Sequence, residues 1–203
     1  MRHDGSVALN IIFIHGVYSD ASAFEDLQNK FKTQTFLKYN RIQFSVIKYG
    51  KLLLTLERIP FVRNIITEYI AYRIALLNVL YPNAKTIVFA HSFGTWVVAR
   101  ALQQYYPLLI TVDSLILLGS VIERNFNWAD LPNTEVHNFI GKKDKVVFLG
   151  SLWGTGVSGR YGFKMLPCNV KQYETEWSHT DYPEGFSKYC EIIKDFYERK
   201  VRV

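Results

Sequence analysis

Apolar residues along the chain fall into two kinds of run that alternate. Short runs rich in β-branched and aromatic residues, at 7–14, 41–47, 86–90, 112–118, 136–140 and 169–173, read as strands. Between them, longer stretches repeat apolar residues at intervals of three and four, as helices do. One carries Phe24, Leu27 and Phe31 behind a Ser19-Asp20 cap. The others span 63–81 with Pro82 beyond, 95–106 closed by Pro107, and 184–200. The strand runs are apolar on both faces. All six are therefore expected at central or near-central places in a mostly parallel sheet, with helices on both sides. No internal repeat, low-complexity tract or Pro/Gly linker divides residues 1–203, which read as one α/β domain. Two connections are long, 119–134 and 150–167. The second holds five glycines, and loops of this kind are expected to be functional or mobile.

Composition adds exclusions rather than a function. With 49% hydrophobic and 21% charged residues the chain is not a disordered one. Its 203 residues suffice to bury a single core without staples. Lys and Arg outnumber Asp and Glu by 24 to 18, but no long basic run accompanies the excess, so no nucleic-acid partner is expected. Cys168 and Cys190 stand in neither a CxxC nor a Cys/His metal spacing; they read as two buried, reduced thiols, with no metal and no cofactor implied. Arg2, the apolar 7–14 run and Ala21-Ser22-Ala23 imitate a secretory leader, yet Asp4 and Asn10 interrupt it and the run serves better as the first strand. The longest apolar stretch, 65–80, is broken by Glu68 and Arg73, short of a membrane span. A cytoplasmic protein is expected.

The chemistry concentrates in Ala90-His91-Ser92-Phe93-Gly94, which ends a buried strand and opens a helix. A turn this tight strains the residue at its apex and admits only small residues two places either side. Ser92 then projects above the sheet, and the N–H of Phe93 lies at a helix N-terminus, where partial positive charge gathers. A serine hydroxyl is a weak nucleophile and needs a base in contact. Of the five histidines, His3 lies near the terminus, His137 sits inside a strand pattern, and His91 adjoins the serine facing the wrong way. His15 closes the first strand, as a buried tie between loops or a wall of the substrate site. His179 follows the last strand in a polar loop, on the rim that carries Ser92, and is the base candidate. An acceptor for its other nitrogen is offered by Asp144, with Glu123 as rival; Asp113 and Asp181 read as structural. The order Ser92, Asp144, His179 is that of a hydrolase elbow on a parallel sheet. Two N–H groups would hold an oxyanion, those of Phe93 and of Val17, the latter turned inward by Gly16. His15, Gly16, Tyr18, His91 and Trp153 are the candidate substrate contacts. Tyr161 and Phe163 are further candidates for the rim of the glycine-rich loop.

On Phe13-Ile14-His15-Gly16, the elbow, Asp144 and His179, the chain resembles the α/β-hydrolase family over almost its whole length. The resemblance implies a serine hydrolase whose Ser92, His179 and Asp144 cleave a carboxylic ester or thioester through an acyl-enzyme. Ala90 replaces the usual glycine, an opening antiparallel hairpin is missing, and residues 119–134 leave no room for a large lid domain. The likeness is thus to small, lidless esterases and lipases. A small acyl ester or lipid is the implied partner. Two other readings differ in class. Hydrolysis at a membrane surface would use the apolar Leu52-Leu53-Leu54-Thr55-Leu56 stretch, which otherwise reads as a buried connector. A non-catalytic binding module would have no need of all three polar residues at triad positions.

Overall fold

A computed structural model describes residues 7–16, 22–34, 41–49, 59–150 and 155–200, with 149 and 150 as backbone only. Six strands form one sheet: β1 (Leu9–Ile14), β2 (Ile42–Ile47), β3 (Lys85–His91), β4 (Ser114–Leu118), β5 (Glu135–Gly141) and β6 (Val170–Thr175). Every neighbouring pair is parallel, in the order β2-β1-β3-β4-β5-β6. Parallel strands need crossovers, and α-helices supply all but the one from β4 to β5, which holds only a 3-10 turn at Trp128–Asp130. The α-helices are α1 (Ser22–Thr33), α2 (Pro60–Leu80), α3 (Phe93–Tyr105), α4 (Lys145–Gly150), α5 (Ser158–Tyr161) and α6 (Phe186–Lys200).

The apolar runs explain the layers. Side chains alternate across each strand, so a run apolar at every position feeds two cores. On one face Ile12, Val88 and Leu115 meet Ile70 and Ile74 of α2 and Val97 and Leu102 of α3. On the other, Phe13, Phe89 and Ile116 meet Phe24 and Phe31 of α1 and Ile193 and Phe196 of α6. This second core is aromatic: Phe13 lies 5.2 Å from Phe89 and 5.3 Å from Phe24, ring centre to ring centre. Each such side chain, fully buried, contributes about 1.5–3 kcal/mol.

Several expectations need correction. Only β1, β3, β4 and β5 are central; β2 and β6 are edges with one neighbour each. Both edges carry polar residues, Gln43 and Ser45 in β2 and Lys171, Gln172 and Glu174 in β6, and both are only partly buried, as a strand with one neighbour allows. The thiols are not both buried: Cys168 is exposed and Cys190 half-buried, both free. In the glycine-rich connection, residues 156–159 run against the loop after β4. Gly156 N donates to Val121 O at 2.8 Å and Gly159 N to Ser120 O at 2.7 Å. A Cβ on Gly156 would stand 2.0 Å from Ile122 O, so the glycine permits backbone-to-backbone contact rather than mobility. Phe163 is not on the rim but in the core, edge-on to Trp128 at 5.4 Å. The helices α4 and α5 have no counterpart in the sequence reading. Among the described residues no helix is long and apolar enough to cross a membrane.

The fold brings α3 against β1 at one point. A Cβ on Gly94 would stand 2.6 Å from His15 O and 2.7 Å from Ile14 O, both backbone atoms that cannot yield cheaply. Gly94→Ala is therefore expected to destabilise by about 1–3 kcal/mol, read as a lower urea midpoint at unchanged slope.

Candidate active site

Between β3 and α3 the chain reverses within a single residue. Ser92 sits at φ 55 and ψ −128, conformational space that side-chain-bearing residues seldom enter. Its N–H donates to Leu118 O at 2.9 Å, tying the turn to the end of β4. Ser92 occupies the N-cap of α3 without a side-chain capping bond, so its hydroxyl is not consumed by the helix. Thr95 serves instead. Its Oγ1 donates to Ser92 O at 2.6 Å and accepts from Val121 N at 3.1 Å, locking the turn from below.

Asp144 and His179 meet at the same carboxyl rim of the sheet. His179 Nδ1 donates to Asp144 Oδ2 at 2.8 Å, across strands β5 and β6. Asp144 is 1% exposed; its Oδ1 accepts from Val147 N at 2.9 Å, so the carboxylate also caps α4. A buried charge is tolerable only when bonded in this way. Glu123 is engaged elsewhere, by Arg100 at 2.6 Å. The loop bearing His179 is pinned on both sides: Lys143 N donates to Trp177 O, and Ser178 N donates to Asp181 Oδ2 at 2.8 Å. Gly119, at φ 53, passes so close that a Cβ there would stand 2.9 Å from His179 Nδ1 and Cε1. Since Ser92 is bonded to Leu118 and Gly119 touches His179, the elbow and the imidazole share one neighbourhood. Asp113 and Asp181 hold backbone, through Thr86 N and Ser178 N, as expected.

The remaining candidates divide. A Cβ on Gly16 would stand 2.8 Å from Ser92 Cβ, so the β1 loop crosses directly beside the serine. His15 is buried, donating from Nδ1 to Gly16 O at 2.6 Å and stacking on Tyr49 at 4.4 Å. It ties loops together and faces no open surface. Phe93 is buried and stacked on Trp96 at 5.7 Å, which leaves only its backbone for a role at the rim. His91 is 7% exposed and donates from Nε2 to His179 O at 2.9 Å. It is a wall behind the site rather than a surface. Burial, reinforced by the neighbouring His179, pushes its pKa down to about 3, so the ring is neutral. Gly119 and Thr95 were missed by sequence reasoning; a glycine directly after a strand that adjoins the elbow was the available signal. Val17, Tyr18 and Trp153 lie outside the described residues. A cavity of ≈ 680 Å³ opens at the opposite, amino-terminal rim, between Lys85, Asp113, Glu135 and Lys171, and includes none of the candidates.

No family model matches the chain, and no curated protein does. Solved structures do. Esterase PE8 superposes with a TM-score of 0.60 at 14% identity, covering 94% of this chain and 93% of that one. A cold-adapted esterase from an Arctic intertidal metagenomic library gives 0.60 at 14% identity, over 98% and 85% of the two chains. A predicted CIB-like hydrolase from Thermoplasma acidophilum gives 0.56 at 17%, over 94% and 86%. The chain has the α/β-hydrolase fold.

Two buried imidazoles make stability depend on acid. Burial lowers His91 to about 3 and His137, hydrogen-bonded to Tyr173 at 3.0 Å, to about 4. The unfolded chain protonates both near pH 6.5. Their contribution is thus complete above that pH and is lost as pH falls towards 4, at about 1.4 kcal/mol per pH unit for each imidazole. Urea unfolding from pH 4.5 to 7 should show this slope, and His137→Phe should shed one proton's worth. A flat profile would mean that both rings are charged in the folded state.

Proposed function

We propose that the chain is a serine hydrolase that cleaves carboxylic esters or thioesters through an acyl-enzyme. The observation that carries this reading is a serine held at positive φ, its hydroxyl uncommitted to the helix it caps, on the rim where a buried aspartate is bonded to a part-buried histidine. Ser92 Oγ attacks the acyl carbonyl while the free nitrogen of His179 takes its proton. Asp144, bonded to Nδ1, fixes the tautomer and stabilises the imidazolium. The Phe93 N–H, at the start of α3, receives the developing oxyanion, with Val17 N–H as its proposed partner. His179 then returns the proton to the leaving alcohol or thiol, and a water repeats the sequence on the acyl-serine. Two of the fold neighbours are named esterases, the class proposed for this chain.

A second reading, an acyl-lipid hydrolase at a membrane surface, is favoured by one observation. Phe61, Ile65, Tyr72, Leu76 and Val79 lie exposed along a single face of α2, interrupted only by Glu68. The stretch Leu52–Leu56 lies outside the described residues.

A fluorophosphonate probe should label Ser92 stoichiometrically, and Ser92→Ala should abolish both labelling and p-nitrophenyl ester turnover with its melting temperature nearly unchanged. Asp144→Asn should cut turnover by about 10⁴, whereas Glu123→Gln should change it little; the reverse order would hand the acid role to Glu123. Absence of labelling in folded protein would leave a binding module. For the surface reading, Phe61→Ser with Ile65→Ser should slow hydrolysis of an acyl ester in anionic vesicles without slowing a monomeric one. Equal rates on both would remove it.

A further inference from the structure

We infer that His91 is a positioning residue: its ring is a rigid spacer between the elbow and the loop of His179, and its Nε2–H bond to the His179 carbonyl sets where that imidazole stands relative to Ser92. The catalytic consequence rests on the serine-hydrolase reading; the clamp itself does not.

The geometry is specific. His91 is the last residue of β3 and directly precedes Ser92, so its buried ring is anchored to the strand that carries the turn. Its Nε2 donates to His179 O at 2.9 Å, and among the described residues this is the only side-chain hydrogen bond to the backbone of residue 179. The ring is packed on its neighbours, 4.6 Å from the His179 ring and 4.5 Å from Tyr182, with Phe24 edge-on at 6.4 Å. On its other side Nδ1 faces the β1 loop, where a Cβ on Gly16 would stand 3.5 Å away. One side chain therefore touches the loops after β1 and β6 while its own backbone sets the serine. Asp181 and Lys143 pin the flanking residues 178 and 177, but neither reaches 179.

Charge favours the same assignment. A carbonyl only accepts, so Nε2 carries the proton. Burial keeps Nδ1 bare and the ring neutral, despite Asp144 nearby. The titratable groups facing it are His15, His179, Asp144 and Tyr182, whose phenol burial keeps neutral, and of these His179 must become cationic during turnover. A cationic spacer 4.6 Å away would oppose that step. A neutral N–H donor supplies the hydrogen bond without the repulsion.

Phenylalanine preserves the ring's bulk without its donor; glutamine restores a donor without the ring. With active sites counted by phosphonylation, His91→Phe should lower kcat by about 10- to 100-fold, leave KM within about twofold, and displace the midpoint of the pH–rate profile. His91→Gln should recover most of the loss. A change confined to melting temperature, with kcat per active site and the pH midpoint both as in wild type, overturns the assignment. Imidazole ¹⁵N NMR of the wild-type protein decides the clamp without reference to turnover: at pH 6 the expected His91 spectrum is neutral with the proton on Nε2, and a proton on Nδ1 or a charged ring overturns it. Failure of wild type to react with the fluorophosphonate would instead sink the hydrolase reading, leaving the NMR result to judge the clamp.

Discussion

Everything at the carboxyl rim depends on the chain reversing direction within one residue, at Ser92. A side chain held at φ 55 and ψ −128 costs about 1–3 kcal/mol and persists only where its surroundings allow no alternative. Here the surroundings are three glycines. Gly94 lets α3 lie on the carbonyls of β1, Gly16 lets the β1 loop pass beside Ser92, and Gly119 lets the end of β4 pass under His179. Each is a place where a single methyl group would meet atoms closer than van der Waals contact permits. The parallel sheet supplies the rest of the constraint, since the strands on either side of β3 are fixed in register by continuous ladders. A strained turn in a loop would relax; one welded between a central strand and a buried helix does not.

The electrostatics follow from that crowding. A rim built of close backbone contacts buries polar groups, and a buried group must be either neutral or bonded. Asp144 remains tolerable because a backbone N–H at the start of α4 and an imidazole N–H both point at it. His15 satisfies itself locally through Gly16 O, and His91 through His179 O. At the opposite rim the solution differs. Lys85 pairs with Asp113 at 3.0 Å and Arg199 with Glu135 at 2.8 Å, in partly exposed positions where water does much of the solvating. The carboxyl rim buries its central polar groups and carries its exposed pairs, Lys142–Glu174 and Lys143–Glu176, only at the outer edge.

How much of this the sequence disclosed varies with the range of the interaction. Central strands were legible because burial on both faces leaves a mostly apolar run, interrupted at Asn10 in β1 and at His137 and Asn138 in β5, and the elbow because strand, small residue, serine and glycine are contiguous. The pairing of Asp144 with His179 was legible only as a consequence of parallel topology, which sends the ends of β5 and β6 to the same side. Contacts between loops were not. Nothing in Gly156 or Gly159 distinguishes a glycine that packs on another backbone from one that flexes, and the short helix α4 announces itself by the side chain of Asp144, a residue already assigned to other work. Edge strands were misjudged for a simpler reason. Ile42–Ile47 and Val170–Thr175 differ from the central strands by only a few polar residues, too small a contrast to separate an edge from a centre without the pairing itself.

His91 shows why local reading and three-dimensional reading diverge at a functional site. In sequence it is the serine's neighbour, turned the wrong way to be its base, and looks like a substrate contact. In space its ring is buried and spans the interval between the loops after β1 and β6, 4.6 Å from the His179 ring. A spacer has to be stiff, apolar on its faces and polar at one defined edge, and it must stay uncharged where its partner gains charge. Imidazole buried deeply enough to lose its basicity meets all four conditions. The burial that keeps His91 neutral is thus what suits it, on the serine-hydrolase reading, to hold the residue proposed to carry the proton.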